Sequence, residues 1–332
     1  MAKAAGVSPT TVSHALNGKG TVRRETIERI ERVAAEIGYR ASPLAQGLQS
    51  SRLGLLALVI RPLHSLDTFL PAGVDYFLKL AGAASLAAME RGYSMMLVDD
   101  PTRPDAPLSA TAADAYIVSE PFANDPVLTL LSDRNIPFVS IGSDPARAGQ
   151  FVEISTRDWE EAIVVLDHLA DTGARRIALL TGTDTNAWNR ESEAAYLQWC
   201  SDRGQTPDIA AFPEVDGEQV GEDAITHFFG SGRTPPDGIF CLTGRHAAGL
   251  NAAAARHGIR VPDDLVIAAG SGAIQNRLSS PSVTTLDLHP EAIAALAVEV
   301  AVGLAEGRPL PHTLEVPHAT LDVRGSTTRT RD

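Results

Sequence analysis

Between Ala2 and Tyr39 the apolar positions recur at helical spacing, in short pieces. Ala2–Ala5 stops at Gly6, and Ser8 stands where an N-cap belongs, with Pro9 at the first helical position of a segment reaching Leu16. The run Asn17-Gly18-Lys19-Gly20 breaks that helix. A third begins at Arg24, carries Ile27, Ile30, Val33, Ala34 and Ile37 at three- and four-residue intervals, and meets a stop at Gly38. Two short helices joined through Gly-Val-Ser and followed by a longer one predict a helix-turn-helix domain.

Past Arg52 the pattern changes. Apolar runs at Leu55–Ile60, Ser94–Val98, Ala115–Val118, Phe138–Ile141, Ile177–Thr181, Gly238–Leu242 and Leu265–Ala268 predict strands. Amphipathic stretches at about 75–91, 125–134, 158–172, 191–203, 217–229, 245–257 and 290–305 predict helices between them. Such an alternation specifies an α/β fold of parallel sheets covered on both faces. So many βα units exceed one doubly wound sheet and fit two lobes, with a cleft at the carboxyl ends of their strands.

Composition narrows the function classes. With 44% hydrophobic and 21% charged residues in 332, the chain reads as an ordinary globular protein of two or three folding units. No apolar run reaches the roughly 18 residues of a membrane span, and residues 1–30 lack a signal-peptide layout, so a cytoplasmic location is expected, with no membrane partner. The two cysteines, Cys200 and Cys241, supply neither a disulfide framework nor a structural metal site. Net charge is −13 but unevenly spread: residues 1–52 hold eight Lys or Arg against four acids, a net +4, and the remainder carries −17. A basic head on an acidic body assigns phosphate binding to the head.

The motifs of common enzyme classes are missing. There is no GxSxG, HExxH or P-loop, and Gly270-Ser271-Gly272 lacks the spacing of a phosphate cradle. Lone histidines such as His168, His246 and His289 read as surface or core residues, and no cofactor is expected.

The run AKAAGVSPTTVSHALN, continued by VRRETIERIERVAAEIGYRASPLAQGLQS and LGLLALVI, closely resembles the LacI/GalR family of bacterial transcription repressors. Family-like segments recur at 168–182, 258–270, 281–290 and 313–327, so the resemblance spans nearly the whole chain. It implies a three-helix head at 1–41, a hinge helix at 42–52 and a two-lobed, periplasmic-binding-protein-like (type I) body at 53–332. The first lobe is expected at about 53–152 plus 283–311, the second at about 153–282 plus 312–332. It also implies a homodimer on a palindromic double-stranded DNA operator, controlled by a small-molecule effector between the lobes. A solute receptor sharing the body fold is the alternative.

Carried over position by position, Pro9, Thr10 and His14 match base-reading sites, and Ser8, Thr11, Ser13 and Asn17 match backbone-fixing ones. Leu48 aligns with the family's hinge leucine, a minor-groove wedge flanked by Ala45 and Gln49. Met1 stands where the family motif usually has valine, and the resemblance implies a helix one that begins upstream of it. Family pockets hold polar ligands with aspartates and an arginine. Here Gly142, Thr156, Gly244 and Ser271 occupy usual aspartate places, Ser192 the arginine place and Asp216 an aromatic one. The expectation is therefore a pocket that does not hold a sugar or purine in the ordinary way. Tyr76, Phe77 and Trp188 would offer stacking surfaces, and Arg190 a displaced anion anchor. An enlarged segment, Arg61–Val74, and a shortened connection, Asp99–Ala115, border the first lobe.

Overall fold

The computed structural model describes residues 1–16, 22–38, 52–60 and 75–329. The expectations for Asn17, for Ala45, Leu48 and Gln49 of the hinge, and for Arg61–Val74 lie outside them. The chain divides between Leu55 and Leu56 into two compact units.

The first unit holds α1 (Ala2–Ala5), α2 (Pro9–Leu16) and α3 (Arg24–Glu36). Gly6 ends α1 in the left-handed region (φ 62°), where a side chain is disfavoured. The Ser8 hydroxyl accepts from the Thr11 amide at 3.1 Å, so it caps α2 as its position predicted. Ala5, Val12, Ala15, Ile30 and Ala34 form a small core. Ile37 departs from the predicted apolar stripe: α3 ends one residue earlier, and Ile37 lies exposed at its C-cap.

The second unit begins β1 (Leu55–Val59), α4 (Asp75–Glu90), β2 (Ser94–Val98), β3 (Ala115–Ser119), α5 (Pro126–Asp133), β4 (Phe138–Ile141) and β5 (Glu153–Ile154). It continues α6 (Asp158–Asp171), β6 (Ile177–Thr181), α7 (Ala187–Arg203), β7 (Ile209–Ala211), α8 (Gly221–Phe229), β8 (Gly238–Cys241), α9 (Gly244–Arg256) and β9 (Val266–Ala269). The last elements are α10 (Ile274–Leu278), β10 (Thr284–Asp287), α11 (Pro290–Glu306) and β11 (Thr320–Asp322).

The strands make two sheets, ordered β2-β1-β3-β4-β5 and β11-β10-β9-β8-β6-β7. In the first, β1, β3, β4 and β5 pair in parallel, with Leu58 opposite Ile117 and Ile117 opposite Val139. In the second every pairing is parallel except β10 with β11. Alternate residues of one strand enter opposite cores, because successive side chains point to opposite faces. Leu56, Leu58 and Ile117 pack against α4 and α11, whereas Ala57, Val59 and Val118 pack against α5. Likewise Leu179 and Phe240 face α6 and α7, and Leu180 and Ile239 face α8 and α9. Burial on both faces is why these strands read as continuous apolar runs.

The expected lobe boundaries move, the last because Leu314 and Val316 still pack in the core of the first lobe. Glu153–Ile154 is the edge of the first sheet, and Thr284–Asp287 lies inside the second, so the crossovers fall just after residues 154 and 287. A two-residue strand and a strand reading TTLD carry too little apolar alternation to be seen before their partners are known. The same holds for Ile209–Ala211 and Thr320–Asp322. The Asp99–Ala115 connection contains a single 3₁₀ turn, Leu108–Thr111, pinned where the buried Tyr116 hydroxyl donates to the Ala110 carbonyl at 2.9 Å.

Candidate DNA-reading helix and interlobe cleft

In the first unit, Ser8, Pro9, Thr10 and His14 are exposed at the start and on one face of α2, Thr10 and His14 lying one turn apart. Thr11 and Ser13 are half-buried, and the Thr11 hydroxyl lies 2.8 Å from that of Ser8. Val12 and Ala15, buried in the core, fix which face of the helix is presented. The helix α2 thus offers hydroxyls at its N-terminal end and the His14 imidazole in its last turn, on a rigid element, the arrangement that meets base edges and phosphates.

In the second unit a cavity of about 340 Å³ opens between the lobes. It is lined by residues at or just past the carboxyl ends of seven strands: Ser119 closing β3 and Glu120 after it, Gly142 after β4, Thr156 after β5, Asp184 after β6, Glu214 after β7, Thr243 to Arg245 after β8, and Ser271 after β9. Tyr76 and Phe77 of α4, in edge contact at 5.2 Å between ring centroids, line it with Phe122 and Trp188. Asp158 and Glu161, from the first turn of α6, complete the wall.

Seven of the expected residues meet here: Tyr76, Phe77, Gly142, Thr156, Trp188, Gly244 and Ser271. Three do not line the cavity. Ser192 is buried within the second lobe, Asp216 is exposed, and Arg190 is exposed with its Nη1 donating to the Pro145 carbonyl at 3.3 Å. Arg190 is therefore no anion anchor in the cleft but a contact from α7 to a loop of the other lobe.

The cleft carries acids all the same, at positions other than those usual aspartate places. Five carboxylates line it, Glu120, Asp158, Glu161, Asp184 and Glu214, with Arg245 the single lysine or arginine among the described lining residues. Thr156 illustrates the shift: its hydroxyl donates to Asp158 at 2.8 Å, so the acid stands two residues on, at the start of a helix whose N-terminus favours negative charge. Gly244 has its own cause. A β-carbon there would lie 2.6 Å from the Ser271 carbonyl oxygen and 2.9 Å from the Ala273 nitrogen, leaving no room for an aspartate. The available signal was the carboxylate next to a predicted strand end, since ligands meet parallel sheets there.

Burial raises three of these acids. Desolvation, with Asp158, Asp184 and Glu214 nearby, pushes Glu120 up to about 8. Desolvation brings Asp158 to about 6 against the Thr156 hydrogen bond, and desolvation followed by Asp158 brings Glu161 to about 7. Glu120 also holds its backbone at φ 47°, a costly conformation for a residue with a side chain. Glu214 is tied down, accepting from Asn189 Nδ2 at 2.6 Å and from the Thr183 amide at 3.1 Å. The Ser119 hydroxyl is buried at the cavity wall without a hydrogen-bond partner. His246, read from the sequence as a surface or core residue, is buried against the Pro213 carbonyl with its pKa lowered by desolvation.

Residues 1–42 match the bacterial regulatory proteins of the lacI family, and residues 166–327 match the periplasmic binding protein-like domain. The HTH-type transcriptional regulator AglR of Rhizobium meliloti is 27% identical over 98% of this chain and 93% of its own length. The HTH-type transcriptional repressor PurR of Yersinia pestis bv. Antiqua is 25% identical over 98% of this chain and 95% of its own length. The lac repressor dimer bound to operator and an anti-inducer shares the fold, with a TM-score of 0.80 at 20% identity over 99% of this chain and 98% of that one. The chain belongs to the LacI family of bacterial regulatory proteins, joining its helix-turn-helix domain to a periplasmic-binding-protein-like domain, and is a transcription regulator rather than an enzyme.

Proposed function

We propose that the protein is a cytoplasmic, nucleoid-associated repressor that binds a palindromic operator as a homodimer and is controlled by a small effector in the interlobe cleft. The observation that carries this reading is the exposed set Ser8, Pro9, Thr10 and His14 on α2 of a LacI-family head. Pro9, Thr10 and His14 read bases; Ser8, Thr11, Ser13 and Asn17 fix the backbone, and Leu48 with Ala45 and Gln49 acts at the operator centre. A two-fold dimer mirrors a palindrome. An apolar row supports the pairing: Leu78, Leu86 and Met89 of α4 and Leu97 of β2 are exposed. The AglR and PurR relatives are named as a transcriptional regulator and a repressor.

Lobe closure around an effector shifts the equilibrium between DNA-binding and non-binding dimers by the difference in its affinity for the two. The experiment is selection of an operator from randomised duplexes with the full chain, with the sedimentation of the complex measured alongside. A palindromic site bound by two chains, and weakened steeply by salt, is expected. A protein that selects no sequence overturns the reading.

A further inference from the structure

The cleft is unbalanced in charge. Among the described lining residues, five carboxylates share about 340 Å³ with one guanidinium, and that one, Arg245, lies across Gly217, with its atoms 2.2 Å from where a β-carbon would stand. Glu120 comes from one lobe, and Asp158, Glu161, Asp184 and Glu214 come from the other. A neutral polyol closing the lobes would leave several of these acids out of water without an opposing charge, and an unpaired buried charge costs more than its hydrogen bonds return. An organic anion would add to the repulsion.

The remaining wall fits the other half of such a ligand. Tyr76, Phe77, Phe122 and Trp188 present ring surface, which receives an apolar body or the face of a cation. The Ser119 hydroxyl, 3% exposed and unpartnered, points to a polar group of the ligand as its missing partner. Among the described residues no group of His, Cys, Asp and Glu is arranged to hold a metal ion. Resting on the reading of the cleft as the effector site, we propose that the effector is a small organic cation, a protonated amine or guanidine on an apolar or aromatic body, whose charge is met by Glu120 and Asp158 across the cleft.

The proton inventory of the site supports this. Glu120 faces Asp158, Asp184 and Glu214; Asp158 faces Glu160 and Glu191; Glu161 faces Asp158, Glu160 and Arg157; and Tyr76 faces Glu120, Asp158 and Glu161. With Arg245 as the one lysine or arginine among the described lining residues, the cleft without an effector retains protons near neutrality, and a bound cation replaces them.

The test uses the full chain in thermal melts and calorimetry, with phenethylamine, agmatine and benzyltrimethylammonium set against 2-phenylethanol, phenylacetate, glucose and ribose. At least one cation is expected to raise the melting temperature while the neutral and anionic probes do not. Its affinity should fall about tenfold or more in Glu120→Gln and Asp158→Asn, as expected for loss of one buried charge pair. Asp216→Asn, outside the cavity, should bind as the parent does. For benzyltrimethylammonium, whose charge is fixed, affinity should rise from pH 6 to pH 8.5 with protons released. The variants relieve repulsion, so they should melt no lower than the parent above pH 7, which checks their folding. Stabilisation by glucose or ribose without any by the cations overturns the cation and leaves the effector reading standing. No binding by any probe overturns it as well, as does cation binding that survives in both variants; operator selection reports separately on the DNA-binding reading.

Discussion

The backbone amide of Ala123 donates to the carbonyl of Thr185 at 3.1 Å, joining the loop after β3 in one lobe to the loop after β6 in the other. Phe122 and Asn186 bridge beside it, and Arg190 reaches the Pro145 carbonyl from the same side. These contacts hold the lobes together at the mouth of the cleft. Arg190→Ala should remove one exposed charged hydrogen bond, about 0.5–1.5 kcal/mol of closure. The radius of gyration of the ligand-free protein, measured by small-angle scattering, should increase; unchanged scattering would place the closure elsewhere.

Gly182 adjoins the Glu214 carboxylate so closely that a β-carbon there would lie 1.8 Å from Oε1. Gly182→Ala should displace Glu214 from the amides of Thr183 and Asp184 and from Asn189. A loss of about 1–3 kcal/mol in urea unfolding is expected. A midpoint equal to that of the parent would show that the loop yields without cost.

The cleft acids set the sign of the pH dependence. Glu120, Glu161 and Asp158 have raised values, near 8, 7 and 6, so the native state holds more protons than the unfolded chain between about pH 4 and pH 8. Their contribution is present below the ordinary carboxylate range and is lost as pH rises through those values. The ligand-free protein should melt lower at pH 8.5 than at pH 5.5, by roughly 2–4 °C for each kcal/mol lost. Glu120→Gln should flatten the upper part of that fall. A melting temperature that climbs over this range would contradict the assignment.

Asp144 works in the opposite direction. Burial would raise its carboxyl, but the amides of Asp125, Ala146 and Asn124 and the Arg147 guanidinium hold it below the usual range. Its contribution is present above the ordinary aspartate value and is lost as pH falls through its lower native one. Asp144→Ala leaves three amides and the Arg147 Nε without their acceptor and removes the charge opposite Arg147, and a loss of about 3–5 kcal/mol is expected from chemical denaturation.

For the head, His14→Ala should cost about 1–3 kcal/mol on the selected operator and much less on random DNA, as measured by titration at fixed salt. Equal losses on both would make His14 a backbone contact. Ser8→Ala should lower the stability of the head by about 0.5–2 kcal/mol through the lost cap, because the Thr11 amide loses its acceptor.

Local chemistry alone determined the helix-turn-helix of this chain, since Gly6, Ser8, Pro9 and the Ile27, Ile30, Val33, Ala34 stripe act within a few residues of themselves. It also determined the two-sheet body, because strands buried on both faces must be apolar throughout. The weak strands β5, β7, β10 and β11 and the lobe crossovers were settled by partners distant in sequence. The cleft divides the same way. Tyr76, Phe77 and Trp188 were visible as rings, but Glu120, Asp158, Glu161, Asp184 and Glu214 are scattered over nearly a hundred residues and become one acidic site only when the carboxyl ends of parallel strands converge. Arg190 and Ser192 were drawn away from that site by helix phase, and Gly244 was barred from carrying an acid by the Ser271 carbonyl, a contact that exists only in the folded chain.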